Sequence, residues 1–243
     1  MRLRTFSLRC AKEILRDPLT LGFGVGVHLV LMLLLSAIQA NFPAELFALE
    51  QLTPGITVFG LSFLTLFSAT LISRDRETAL LQRLYTTPLT AADFICGYAL
   101  PILPMAAIQS ALCYLLAMAL GLAPTVNMLW AIISIVPVSL FFIALGLLCG
   151  SILTVKQTGG VCGALLTNLS AWLSGVWFEL DLVGGAFRKI AYALPFVHAV
   201  EVERAVFRGD WPAVWPHALW VLGYTVLALA GAILLFLRQM KRQ

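Results

Sequence analysis

The stretch SRDRETALLQRLYTTPLT, residues 73–90, carries three arginines and two acids in a 243-residue chain that is 60% hydrophobic and only 12% charged. Apolar runs flank it on both sides, and the nature of those runs decides the fold. Soluble domains carry about 25% charged residues. This chain has too little polar surface to face water, and its mean hydropathy of +0.94 points the same way. Six runs come close to the ~20 residues that cross a bilayer: residues 19–40, 54–73, 94–120, 128–153, 159–177 and 215–237. The expected fold is an all-α polytopic membrane protein with six transmembrane helices. The first run is longer than the ~7–15 residues of a signal-peptide core, and no small-x-small cleavage site follows it, so it is expected to remain as a span. The five cysteines are scattered, with no CxxC and no histidine at ligand spacing, so neither a disulfide framework nor a metal site is expected.

Lysine and arginine set the expected orientation. With the N-terminus in the cytoplasm, twelve of the sixteen basic residues fall on the inner side. Arg188, Lys189, Arg204 and Arg208 fall outside, among acids such as Glu179, Asp181, Glu201 and Asp210. Both termini are then cytoplasmic. The net charge of +4 needs no nucleic acid to explain it, because the cations flank spans where they meet anionic lipid headgroups.

Three segments lie outside the spans. Residues 1–18 read as an interfacial amphipathic helix: Leu3, Phe6, Cys10 and Ile14 share one face, Arg2, Arg9, Lys12, Glu13 and Arg16 lie off it, and Pro18 ends it. Residues 19–243 form the permease body. Within it, residues 74–87 read as a short inner helix with Leu80, Leu81, Leu84 and Tyr85 on one face and Pro88 as its stop, and Thr90 with Asp93 has capping-box spacing for the next helix. Amphipathicity alone allows either a solvated loop helix or a docking helix for a soluble subunit. Residues 178–212 have helical periodicity interrupted by charge and read as short helices dipping into the outer face rather than a seventh crossing.

Two motifs bring a resemblance. RETALLQRLYTTPLTAADFICG, residues 76–97, is similar to the coupling segment of the type-2 (ABC-2) ATP-binding-cassette exporter permeases, with Arg76, Glu77, Leu81, Arg83, Leu84, Thr87, Pro88 and Leu89 at matching positions. Ala79-Leu80 replaces that family's usual Gly-Thr, and Gln82 its following acid. The second motif, from Ser174-Gly175 through Phe178, Leu194, Pro195, His198, Glu201, Arg204 and Gly209, resembles the family's re-entrant outer segment, with Glu179 where a proline is usual. The resemblance implies a cytoplasmic coupling helix that includes Arg74, re-entrant outer helices between spans five and six, and a permease for drug, lipid or polysaccharide-type cargo in a bacterial inner membrane. It implies pairing with a second copy or a similar permease, and two copies of a separate ATPase subunit carrying ATP and Mg. No GxxxxGK[ST] occurs in the chain, so no P-loop nucleotide site, cofactor or catalytic residue is expected of it.

The resemblance also implies that the first, second and fifth spans line the dimer seam and export path. Candidate residues there are His28, Ser62, Thr65, Gly163, Thr167, Asn168, Ser170 and Ser174. At 100° per residue, Gly160, Gly163, Thr167, Ser170 and Ser174 form one small and polar stripe, which serves helix packing as readily as a path. Gly146 and Gly150 form a GxxxG assigned to packing. No acid falls within the six runs, so His28 has no carboxylate partner for proton relay, and a path lined by Ser, Thr, Phe and Leu suits an amphiphilic or hydrophobic cargo better than an ion. An ATP-independent carrier or channel would transport without a partner. An intramembrane serine hydrolase would need a GxSxG elbow or its equivalent, and none is present.

Overall fold

The computed structural model describes residues 2–41, 47–78 and 90–241. Among them there is no strand, and the helices are α1 (Arg2–Leu15), α2 (Pro18–Ala40), α3 (Leu49–Glu77), α4 (Ala91–Ala99), α5 (Leu103–Ala119), α6 (Val126–Gly150), α7 (Val155–Thr158), a π-helix (Gly159–Leu166), α8 (Thr167–Leu173), α9 (Leu180–Val183), α10 (Gly185–Ala193), α11 (Pro195–Arg208) and α12 (Trp211–Lys241). Among the described residues, five stretches are long and apolar enough to cross a membrane: Leu21–Ala40, Leu49–Glu77, Ala92–Ala119, Val126–Gly150 and Trp211–Arg238.

The third expected span is broken. Pro101 and Pro104 remove backbone donors, so α4 and α5 meet at a turn over residues 100–102. At the head of α4 the expected capping box is present: Thr90 Oγ1 accepts from the Asp93 N–H at 3.1 Å, and Asp93 Oδ2 accepts from the Thr90 N–H at 3.1 Å. The fifth expected span is helical over residues 155–173 but changes winding at its centre, where the π-helix intervenes.

Helix α3 is the axis of the bundle. Of its most apolar stretch 83% is buried, against 22% for α2 and 28% for α12, so α3 is core and the other two present apolar flanks. It packs most extensively on α6, and the reason is the GxxxG. A Cβ on Gly146 would lie 1.9 Å from Ser68 Oγ, and one on Gly150 would lie 2.5 Å from the Ala69 carbonyl. The two helices close to backbone contact there, and Thr65 Oγ1 donates across the seam to the Phe142 carbonyl at 2.9 Å. Outward, α2 shows Phe23, Val30 and Leu34, each at least half exposed. Such faces are unfavourable in water and comfortable against lipid tails.

Helix α1 docks with the expected face inward: Phe6, Cys10 and Ile14 are buried. Phe6 lies edge-on to Tyr98 at 4.9 Å and occupies the space above Gly97, where a Cβ would come within 2.1 Å of the ring.

At the opposite end, the charge-interrupted segment forms α9, α10 and α11. Leu194, extended as a residue before proline must be, separates α10 from α11, which Pro195 opens. Helix α11 does more than skim the surface. Phe196, Val197, Val200 and Val206 are buried against α3, α6 and α12. Gly209 closes α11 in the left-handed region (φ 77°), turning the chain directly into α12.

Candidate functional site: a charged hub at the end of the central helix

The apolar limit at Ser73 suggests that the second span ends there, yet α3 continues through Glu77. Four consecutive charged residues thus stand on the helix end, and between them they grip α1, α4, α6 and α7.

Arg74 pairs with Glu13 of α1 at 3.6 Å. Asp75, only 1% exposed, receives both terminal nitrogens of Arg9 from α1, one of them at 2.6 Å, and the Tyr98 hydroxyl of α4 at 2.7 Å. Arg9 also pairs with Glu13 at 2.9 Å. Hydrogen bonding to Asp75 holds the Arg9 guanidinium charged well beyond its ordinary range. Arg76 donates to the Gly150 carbonyl at 2.8 Å and to the Ile152 carbonyl at 3.4 Å, which places a cation on the last turn of α6. Glu77 accepts from the Val155 N–H at 2.9 Å, which places an anion on the first residue of α7. Both placements match the helix dipoles. The turn between α6 and α7 is therefore held by adjacent residues of α3.

The remaining positions of the expected coupling set, Leu81, Arg83, Leu84, Thr87 and Pro88, lie outside the described residues. Arg74, Arg76 and Glu77 are joined by Asp75 and Arg9, which a reading by apolar limits passes over. Helical phase was the available signal: Asp75 continues the buried row through Leu64, Ser68 and Leu71/Ile72 at steps of three and four. The expectation that no acid lies within a span fails here for the same reason, since the helix outruns the apolar run.

The expected path residues are dispersed. His28 is fully buried inside the protomer, edge-on to Phe63 at 5.1 Å and to Phe59 at 5.9 Å. Ser62 is buried and donates to the Phe59 carbonyl at 2.7 Å, and Thr65 serves the α3–α6 seam. The fifth-span stripe does not survive as one face. Thr167, Ser170 and Ser174 are buried, Gly163 is half-buried against Leu66, and Gly160 is exposed. The π-helix winds with more than 3.6 residues per turn, so the 100° step fails between residues 159 and 166. Thr167 Oγ1 accordingly reaches back five residues, to the Cys162 carbonyl at 3.0 Å. Asn168, a candidate for the dimer seam or path, is exposed on this chain and donates to the Ala164 carbonyl at 2.8 Å.

The outer-segment residues do come together. Pro195 opens α11. His198 Nδ1 lies 2.7 Å from His217 Nδ1 on α12, and its Nε2 lies 2.9 Å from the Tyr192 carbonyl. Because that carbonyl only accepts, the proton of neutral His198 sits on Nε2 and His217 is the donor to Nδ1. Glu201 pairs with Arg204 at 3.0 Å, and Arg204 also donates to the Gly175 carbonyl at 3.0 Å, tying α11 to the loop after α8. Glu203 was missed as a candidate. It is fully buried, accepts one hydrogen bond from Ser134 of α6 at 2.8 Å, and burial pushes it up to about 8. Its phase with Phe196, Ala199, Val200 and Val206 on the inward face of α11 could have revealed it.

The ABC-2 type transporter family model matches residues 1–207 of the chain, most of its length, with the hub and nearly all of α11 included. The chain belongs to that family. No curated protein matches it significantly. As an ABC-2 permease it is a multi-pass transport subunit rather than a catalyst, and the family normally works with an ABC ATPase partner. In that setting the hub of this ABC-2 permease, residues 74–77, overlaps the start of residues 76–97, the stretch whose sequence resembles the coupling segment.

Proposed function

We propose that this chain is the transmembrane subunit of an ATP-driven exporter that moves an amphiphilic or hydrophobic cargo, such as a drug, a lipid or a lipid-linked compound, out of the cytoplasm or inner leaflet. Two copies of a separate ABC ATPase bind ATP and Mg and drive it, and a second copy of this chain, or a similar permease, completes the path. The fifth expected span, which brings the total to six, is the helical run over residues 155–173, at most about 28 Å long at 1.5 Å per residue and so close to the bilayer core of ~30 Å. Both termini face the cytoplasm of a bacterium and the protein resides in the inner membrane.

One observation carries this reading. Residues 74–77, which overlap the start of the coupling motif, are bonded at once to α1, α4, α6 and α7. A push on residues 79–89 delivered through residues 74–77 reaches four elements, α6 and α7 through Arg76 and Glu77 and α1 and α4 through Arg74 and Asp75. The same contacts gather the ends expected to be cytoplasmic at one end of the bundle, which supports the positive-inside sorting.

The test uses the permease reconstituted with its ATPase. Glu77→Gln and Arg83→Gln are expected to leave ATP hydrolysis running while cargo movement falls. Wild-type coupling in both variants would reduce the hub to a structural loop anchor. Uphill transport by the permease alone, in vesicles without nucleotide, would favour the ATP-independent carrier instead.

A further inference from the structure

We infer that the chain binds an anionic phospholipid in a cleft between α1 and the end of α3, separately from any cargo. The cleft has a volume of about 880 Å³ and is lined by Arg9, Lys12, Glu13, Arg16, Asp17 and Arg74 among others. A slot of about 120 Å³ adjoins it, and Glu13, Asp17 and Arg74 line both. The rest of the slot is apolar apart from Thr70, walled by Ile14, Leu66, Phe67 and Leu71. A charged mouth thus opens into an apolar channel along a membrane helix, the shape of a lipid headgroup followed by the start of its acyl chain.

The charges favour an anion. Arg9 and Arg74 are engaged with Asp75 and Glu13. Lys12 and Arg16 are exposed, and neither has an acidic partner among the described residues. Counting the buried Asp75 beneath the cleft with Glu13 and Asp17, four cations face three acids, leaving one positive charge to match one phosphodiester. Neither an apolar drug nor a zwitterionic headgroup satisfies that excess. Interfacial lysines and arginines attract anionic lipid because each contributes at the surface of the bilayer.

The experiment uses the full-length chain in phosphatidylcholine vesicles doped with phosphatidylglycerol that carries a photoreactive diazirine in its acyl chain. Cross-links are expected to map to residues 66–71, and the same diazirine on phosphatidylcholine is expected to label them far less. Lys12→Gln combined with Arg16→Gln should lower labelling there about 30-fold, and Lys12→Arg should retain it. Thermal unfolding run alongside separates lost binding from lost fold. Should the double variant unfold, Thr70→Trp, which fills the slot and leaves the charges in place, takes over the test and should abolish the same cross-links. Equal labelling by the two lipids, labelling confined to other helices, or full protection by inorganic phosphate, which would make this a free-anion site, would each overturn the proposal.

Discussion

Consider Arg9→Gln. In the wild type the Asp75 carboxylate is 1% exposed and has three donors, two from Arg9 and one from Tyr98. The variant leaves a buried carboxylate with a single neutral donor. Removing one partner of a buried ion pair costs about 3–5 kcal/mol. The Arg9 side chain is 37% exposed, so solvent already screens part of the attraction, and about 2–3 kcal/mol is the better figure. Most of that cost falls on the docking of α1, because Arg9 is the residue that crosses from α1 to α3. A reporter is built in: Cys10 is fully buried beside Arg9, and burial pushes its thiol up to about 12. It reacts with a maleimide only when α1 lifts away. Arg9→Gln should therefore speed Cys10 labelling by about 30- to 150-fold, while Cys113 in the core remains slow. Asp75→Asn should accelerate it less, since the Arg9 head can turn to Glu13 and water, and the double variant should cost less than the two single effects combined. Unchanged Cys10 labelling in Arg9→Gln would show that the pair does not hold α1, and the hub reasoning would fail with it.

Other expectations follow from the same geometry. Burial raises Glu203 from 4.5 to about 8, so the folded state holds a proton that the unfolded chain releases, and stability falls as pH rises through that window. Between pH 6 and pH 8 the loss is about 2 kcal/mol, read as a falling melting temperature. Glu203→Gln keeps an acceptor for Ser134 and should flatten that profile; an unchanged slope would place the titration elsewhere. Gly146→Ala should destabilise by about 1–3 kcal/mol in thermal unfolding, because its methyl would meet the Thr65 carbonyl at 2.4 Å, whereas Gly223→Ala, with open space around it, should be neutral or better. Thr90→Ala removes the capping box and should cost about 1 kcal/mol, measured the same way.

Much of the architecture was legible in the sequence, because bilayer physics ties composition closely to helix placement. The buried face of α1, the Thr90–Asp93 cap, the packing role of Gly146 and Gly150 and the helical phase of residues 195–208 all rest on local periodicity, and local periodicity survives folding. What stayed hidden depends on long separations or on departures from ideal winding. Arg9 meets Asp75 across 66 residues and Glu77 meets Val155 across 78. No pattern in residues 159–166 announces a π-helix, and that one change of winding divided the fifth-span stripe. Polar residues chosen as path candidates, Ser62 and Thr65 among them, satisfy carbonyls inside a single bundle, a use that composition cannot distinguish from lining a conduit.

The arrangement at the end of α3 restricts which motions it can carry. Successive side chains on a helix project about 100° apart, so residues 74–77 reach out over roughly 300° of its circumference. With anchors on nearly every side, the terminal turn cannot roll about its own axis without tearing several of them at once, whereas a slide along that axis displaces all of them together. Thrust arriving from residues 79–89 would therefore move this bundle as a plunger does, and torque would be lost.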